Sequence, residues 1–280
     1  MKIGLSLGGG GLRGYAHIGA IQALNEAGIP IDIINGTSAG AVIGGAYALY
    51  ADTDKIVAIA ENIVGSVNIN YFNIFRYSVD RIPFLRNWMV NAICDVSALR
   101  KSILTHRNNH KALRLLFGEH KFSDTQIPFS SVAVDLLAGK TVVIKQGKLI
   151  DGIIPSLSIP AIFPPIEKKR QMLVDGYVLA NIPVRELREE GADFIIAVTL
   201  SGEAETGYSN GFDIINLVEA LKYEKLNQWE LDEADFHINI NIKRFDGMKF
   251  NNYEIAMRHG YRVTKRALPK LERRLSEANV

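Results

Sequence analysis

Apolar positions alternate from the first residues. Ile3, Leu5 and Leu7 read as a short strand that runs into Gly8-Gly9-Gly10-Gly11. Past Leu12-Arg13-Gly14 the spacing becomes helical, with Ala16, Ala20, Ala23 and Ala27 flanked by Ile21 and Leu24, and Gly28 and Pro30 mark the end. Ile31–Ile34 reads as the next strand, Gly36-Thr37-Ser38-Ala39-Gly40 as a tight turn, and Ala41–Leu49 as a helix of small residues. Strand, helix, strand, helix with short joins predicts a βαβ unit and a parallel sheet.

Residues 52–120 carry scattered charges and read as helical or irregular. Phe129–Val134 and Thr141–Lys145 read as strands joined by a hairpin turn at Gly139-Lys140. Ile154–Pro165 is proline-rich and reads as a poor helix. Met172–Asp175 is a short strand running into Gly176, Arg185–Glu190 a helical turn, and Phe194–Leu200 a buried-type strand. A polar loop over 202–211, a helix at about 213–233, a strand at about 236–242 and a basic helix after Tyr253 complete the chain. There is no internal repeat or low-complexity linker. One α/β domain with a helical insertion at about 52–120 accounts for the pattern.

Composition narrows the classes. The 280 residues are 48% hydrophobic and 22% charged, enough to bury a sizeable core. A net charge of +2 gives no argument for nucleic-acid binding. Cys94 is the sole cysteine, so neither an internal disulfide nor a cysteine metal cluster can form; a reducing, cytoplasmic setting is expected. The N-terminus reads as a strand and not as a secretory signal. The uncharged run between Asp32 and Asp52 approaches the length of a membrane span, but Asn35, Thr37, Ser38 and four glycines make it a buried strand–turn–helix.

Within that run Gly36-x-Ser38-x-Gly40 follows a strand and opens a helix, the context of a nucleophile elbow. The glycine loop Gly8–Gly14 also joins a strand to a helix, and such loops offer backbone N–H groups to an anion. If the two strands are neighbours, its amides face the Ser38 hydroxyl, which suits an acyl-transfer oxyanion. Gly9-x-Gly11-x-x-Gly14 also matches the dinucleotide fingerprint, but a serine turn occupies the place where the ribose-binding carboxylate belongs. For a base, His17, His106, His110, His120, His237 and His259 read as packed or exposed, with His106, His110 and His120 in a charged, exposed segment. Asp175, Asp135 and Asp151 remain, each also readable as a turn carboxylate.

Taken in order, Gly8-Gly9-Gly10-Gly11-Leu12-Arg13-Gly14, Gly36-Thr37-Ser38-Ala39-Gly40 and Val174-Asp175-Gly176 resemble the bacterial patatin-like phospholipases. So do Val132–Leu136, Ser158–Pro165 and Asn181–Val184, and the resemblance covers about residues 3–200. It implies a three-layer α/β sandwich with a mostly parallel central sheet and helices on both faces. It implies a Ser–Asp dyad with Ser38 as nucleophile and Asp175 as general base. An oxyanion hole of Gly9, Gly10 and Gly11 with Arg13 follows, supported by Gly14, Gly36, Gly40 and Gly176. No metal or other cofactor is implied, and the substrate is a lipid or acyl ester. A related acyltransferase or thioesterase, or a lipid-binding regulator, would use the same frame. The family's Asp-Gly-Gly or Asp-Gly-Ala motif here has Tyr177 in third place. Residues 201–280 are expected to form a C-terminal extension packed on the same domain. Aromatic and basic residues mixed over Tyr71–Trp88 suit a lid or peripheral membrane contact, and Lys265, Arg266, Lys270, Arg273 and Arg274 offer a basic helix face.

Overall fold

A computed structural model describes residues 1–66, 101, 102, 104–201, 211–242 and 253–278. Strands β1 (Ile3–Leu7), β2 (Ile33–Thr37), β3 (Phe129–Asp135), β4 (Lys140–Ile144), β5 (Ile166–Lys168), β6 (Gln171–Asp175), β7 (Phe194–Ser201) and β8 (Phe236–Asn241) share one sheet in the order β5-β6-β3-β2-β1-β7-β8, with β4 on β3. The pairs β3–β2, β2–β1, β1–β7 and β7–β8 are parallel, whereas β4 and β6 run antiparallel to β3 and β5 antiparallel to β6. The sheet is thus parallel at its centre and antiparallel at one side.

The helices are α1 (Tyr15–Glu26), α2 (Ala39–Tyr50), α3 (Thr53–Ser66), α4 (Arg107–Phe117), α5 (Leu149–Ser156), α6 (Val184–Glu189), α7 (Gly211–Leu231) and α8 (Tyr253–Ala278). The period of two in the strands sorts the core into two layers. Leu5, Leu7, Ile196 and Val198 turn to one face and join Ile18, Leu24, Ile43, Ile153 and Leu271 from α1, α2, α5 and α8. Ile33, Ile195 and Ala197 turn to the other and meet Val184 and Leu187 of α6, with Leu231 of α7 against them. Both faces of the central strands are buried, as a parallel sheet requires. The C-terminal segments belong to this body: β8 extends the sheet, and α8 lies so close to α1 that a Cβ on Gly260 would fall 2.0 Å from Ala16 O.

Two local readings change. The strand expected at Ile31–Ile34 lies at Ile33–Thr37 and takes in Asn35, Gly36 and Thr37. Those polar residues are tolerated because Asn35 Nδ2 donates to Pro183 O (2.6 Å) and Thr37 Oγ1 donates to Ala180 O (2.7 Å). The proline-rich stretch expected to be non-helical begins inside α5. Leu149, Ile150, Ile153 and Ile154 give it an apolar face, and Pro155 falls in its last turn. The expected lid over Tyr71–Trp88 and the loop 202–210 lie outside the described residues.

Candidate active site

β1 and β2 are neighbours in register, Leu7 opposite Gly36, so the turns that follow them open side by side at the carboxyl edge of the sheet. Ser38 bridges β2 and α2 with φ 55° and ψ −120°, a backbone state that a side chain holds only under constraint. The constraint is visible. A Cβ on Gly36 would meet Gly40 C at 2.4 Å, and one on Gly40 would meet Leu7 O at 2.0 Å. From α5, Ser156 Oγ accepts the Ser38 N–H (2.8 Å) and donates to Val132 O (2.6 Å). Sequence reasoning missed Ser156, which lies 118 residues from its partner in a stretch expected to be irregular.

The glycine loop lies against this elbow: a Cβ on Gly9 would be 3.4 Å from Ser38 Cβ. The Gly8 and Gly9 amides are engaged, donating to Val198 O and Asn181 O at 3.0 Å each. The Gly10 and Gly11 amides make no hydrogen bond among the described residues. Gly10 O is turned away, accepting from Arg13 N–H (3.2 Å) and Arg13 Nε (3.3 Å). His17 is buried beneath the loop, with Nε2 2.8 Å from Gly8 O. Burial pushes its pKa down to about 4, so it is neutral, donates from Nε2 and acts as a strut.

Asp175 arrives from β6. Its meeting with Ser38 is set by pairing on β3. A strand has two edges. β4 occupies one of them over Ser131–Asp135, so β2 and β6 lie end to end on the other. Thr37 pairs with Val132 and Asp175 with the next residue, Ala133. Asp175 is 1% exposed and Ser38 7%. Asp175 Oδ1 accepts the Tyr177 N–H (3.0 Å), while Oδ2 makes no hydrogen bond of ordinary geometry. Burial lifts the carboxyl pKa to about 7, against the opposing pull of the Tyr177 N–H and the nearby Ser38 hydroxyl. A buried carboxylate with one free oxygen at a serine on a strained turn has the form of a base beside its nucleophile.

The other acidic candidates lie elsewhere. Asp135 Oδ1 accepts N–H bonds from Leu137 and Met172, both at 3.1 Å, and fixes the β3–β4 hairpin. Asp151 is exposed in the first turn of α5. His106, expected to be exposed with the charges around it, is instead covered. It is 8% exposed, stacks on Phe163 with ring centroids 5.3 Å apart, and places Nε2 at 2.9 Å from Pro164 O. His237 meets Thr199, His259 meets Asn241 O, and His120 pairs with Asp124. No histidine among the described residues hydrogen-bonds Ser38. Nor do the described residues contain a group of three or more His, Cys, Asp or Glu placed to hold a metal. Tyr177, two residues from Asp175, is partly exposed, and its ring centroid lies 6.4 Å from that of Tyr223 on α7.

A family model described as patatin-like phospholipase matches residues 5–188. An uncharacterised NTE family protein of Mycobacterium tuberculosis is 35% identical over 201 residues, 72% of this chain and 49% of the relative. Lysophospholipase NTE1 of Saccharomyces cerevisiae is 31% identical over 274 residues, 96% of this chain and 14% of the relative. The chain thus spans half or less of the length of these relatives. Among solved structures, VipD from Legionella pneumophila superposes with a TM-score of 0.53 at 17% identity, covering 96% of this chain and 67% of that one, and shares the fold.

Proposed function

The chain belongs to the patatin-like phospholipase family, and from that premise we propose that it hydrolyses carboxylic esters of lipids through an acyl-Ser38 intermediate, with Asp175 as the base. One observation carries the reading: a buried Asp175, its pKa raised to about 7, whose Oδ2 takes no hydrogen bond of ordinary geometry while the Ser38 hydroxyl acts on the carboxyl, beside a Ser38 held at positive φ. An ordinary aspartate is too weak a base near neutral pH; this one is matched to the task.

Ser38 Oγ attacks the ester carbonyl as its proton passes to Asp175 Oδ2. The carbonyl oxygen becomes an oxyanion facing the Gly10 and Gly11 amides, each such donor being worth about 3 kcal/mol. The Gly9 amide is committed to Asn181 O and steadies the loop, while Arg13 keeps the Gly10 carbonyl turned outward. The C–O bond then breaks and Asp175 returns its proton to the leaving alcohol. Water enters, gives a proton to Asp175 as its oxygen attacks the acyl carbon, and the bond to Ser38 Oγ breaks as Asp175 passes that proton back to Oγ, which releases the fatty acid and restores both side chains.

Lipid substrates present themselves in aggregates, and α7 offers a surface for them. Ile214, Val218, Leu221 and Trp229 are each at least 44% exposed. At 100° per residue they fall on the side of α7 opposite Tyr223 and Glu230, the residues that face the catalytic region. An apolar stripe on that outer side, crossed by Lys225, suits peripheral contact with a lipid surface. No described helix is long and apolar enough to cross a membrane.

The test is a fluorophosphonate probe on wild type and Ser38→Ala, with adducts mapped by peptide mass spectrometry and fatty-acid release measured on lysophospholipid and diacyl phospholipid. The expected result is an adduct on Ser38, absent from the variant, and release that vanishes with it. A folded wild type that neither takes the label nor releases fatty acid refutes the reading.

A further inference from the structure

Glu230 lies in the last turn of α7, beyond the segment that the family model matches. Its Oε2 accepts the Ile182 N–H at 2.8 Å. The other end of that same peptide unit, Asn181 O, accepts the Gly9 N–H at 3.0 Å. A peptide unit is planar and trans, so its N–H and C=O point in opposite directions and cannot turn independently. Whatever fixes the N–H end fixes the direction in which the carbonyl meets the glycine loop. An acceptor on the N–H also polarises the carbonyl and strengthens the bond it receives.

The neighbouring units have anchors of their own. Thr37 Oγ1 donates to Ala180 O, Asn35 Nδ2 donates to Pro183 O, and the Val184 N–H donates to Ile182 O (2.7 Å). The Asn181–Ile182 unit differs in depending on Glu230 for its N–H. We propose that Glu230 is a positioning residue for the oxyanion loop, acting through the Asn181–Ile182 peptide to hold Gly9 and thereby aim the Gly10 and Gly11 amides. The C-terminal segment of the chain would in this way complete a site whose reacting groups all lie in the first 175 residues. Its kinetic consequence rests on the hydrolase reading above; its structural consequence does not.

Burial and the neighbouring Glu186 raise the Glu230 pKa to about 8, so near neutral pH it is largely the protonated acid, with Arg185 and Glu233 as the other charged groups around it. Glutamine copies that form in shape and keeps an oxygen for the Ile182 N–H. This makes Glu230→Gln the conservative variant, Glu230→Ala the disruptive one, and Glu233→Ala a control for loss of a nearby exposed carboxylate.

Two readouts are taken on the full chain: amide hydrogen exchange of the peptide spanning Gly8–Gly14, and steady-state hydrolysis of a lysophospholipid. Misplacing catalytic groups by about 1 Å can cost 100-fold, so Glu230→Ala should lower kcat about tenfold or more, with KM held within about twofold. The same variant should speed exchange in the Gly8–Gly14 peptide, and Glu230→Gln should restore both. Unchanged exchange in Glu230→Ala, equal losses in the alanine and glutamine variants, or the same effect from Glu233→Ala overturns the proposal. If the alanine variant does not fold, Glu230→Asp, which withdraws the acceptor by one methylene, takes its place with the same criteria. If wild type hydrolyses no lipid ester while exchange still loosens in alanine and recovers in glutamine, the hydrolase reading falls and the positioning role stands.

Discussion

Replacing Asp175 by asparagine should abolish hydrolysis and make the protein more stable relative to wild type as the pH rises. The carboxyl goes from an ordinary 3.8 to about 7 on burial. For an acid whose folded pKa is raised, the native state binds the extra proton, so stability is lost as pH climbs through that window. Below 3.8 the group contributes nothing, and above about 7 its full cost is present. That cost is about 4 kcal/mol, of which about 2 kcal/mol accrues between pH 5.5 and 9. An asparagine side chain cannot ionise and escapes it. Its amide NH2 would replace the unpartnered Oδ2 and costs about 1–3 kcal/mol, but that penalty does not vary with pH. Urea unfolding of wild type and Asp175→Asn at pH 5.5, 7 and 9 isolates the effect, because Glu230 and His17 titrate in both proteins and cancel. The gap between them should move by about 2 kcal/mol in favour of the variant across that range. Wild-type kcat/KM should rise with pH through a midpoint near 7, as the base loses its proton. A stability gap that stays flat with pH would refute the argument, since Asp175 would then not carry the raised pKa.

Three further outcomes follow, two from distances and one from exposure. Gly9→Ala puts a Cβ 2.6 Å from Asn181 Oδ1 and 3.4 Å from Ser38 Cβ; kcat should fall about 100-fold as the loop is displaced, with unfolding free energy lowered by about 1–3 kcal/mol. Ser156→Ala leaves the Ser38 N–H and Val132 O unpaired in a buried spot. It should cost about 2–3 kcal/mol in urea unfolding, and an unchanged midpoint would show the elbow needs no such brace. Ile214→Ser combined with Leu221→Ser should weaken flotation with zwitterionic vesicles about tenfold while turnover of a soluble monomeric ester is unchanged. Equal flotation would remove α7 as the lipid-facing surface.

The residues proposed to react differ in how far the sequence exposes them. Ser38 is legible because a strand period, two glycines two residues either side and a helix period occupy a few consecutive residues, and each is a local property of the chain. Asp175 and Asp135 are alike at that level, since both close apolar strands. Only register separates them: Asp135 Oδ1 takes the Leu137 and Met172 amides at the β3–β4 turn, whereas Asp175 pairs on β3 one residue from Thr37 and so comes to Ser38. His106 misleads because the charges around it suggest solvent, whereas its own ring is covered by Phe163 and Pro164. The struts are illegible for a different reason. Ser156, Asn181 and Glu230 are polar residues whose partners lie tens of residues away, and nothing in their neighbourhood marks them as buried. Helix α5 is hidden by its own ending: Leu149, Ile150, Ile153 and Ile154 carry a helical period, but it spans only two turns before Pro155 and the prolines beyond it.

That the proposed dyad holds no histidine follows from how β3 is shared. β2 and β6 approach along one edge from opposite directions, and both end there, with Thr37 and Asp175 on consecutive β3 residues. One step along a strand is about 3.3 Å. The end-to-end meeting leaves no room for both chains to continue, so each turns out of the sheet: β2 into α2 through Ser38, β6 into a short helical turn at Gly176–Val178. Gly176 is packed so tightly there that a Cβ would meet Val132 O at 2.7 Å. The proposed nucleophile and its carboxylate are therefore brought together by pairing on consecutive residues of a central strand. The same crowding removes water from the carboxylate and raises its pKa to about 7, which suits the aspartate to the role of base proposed for it.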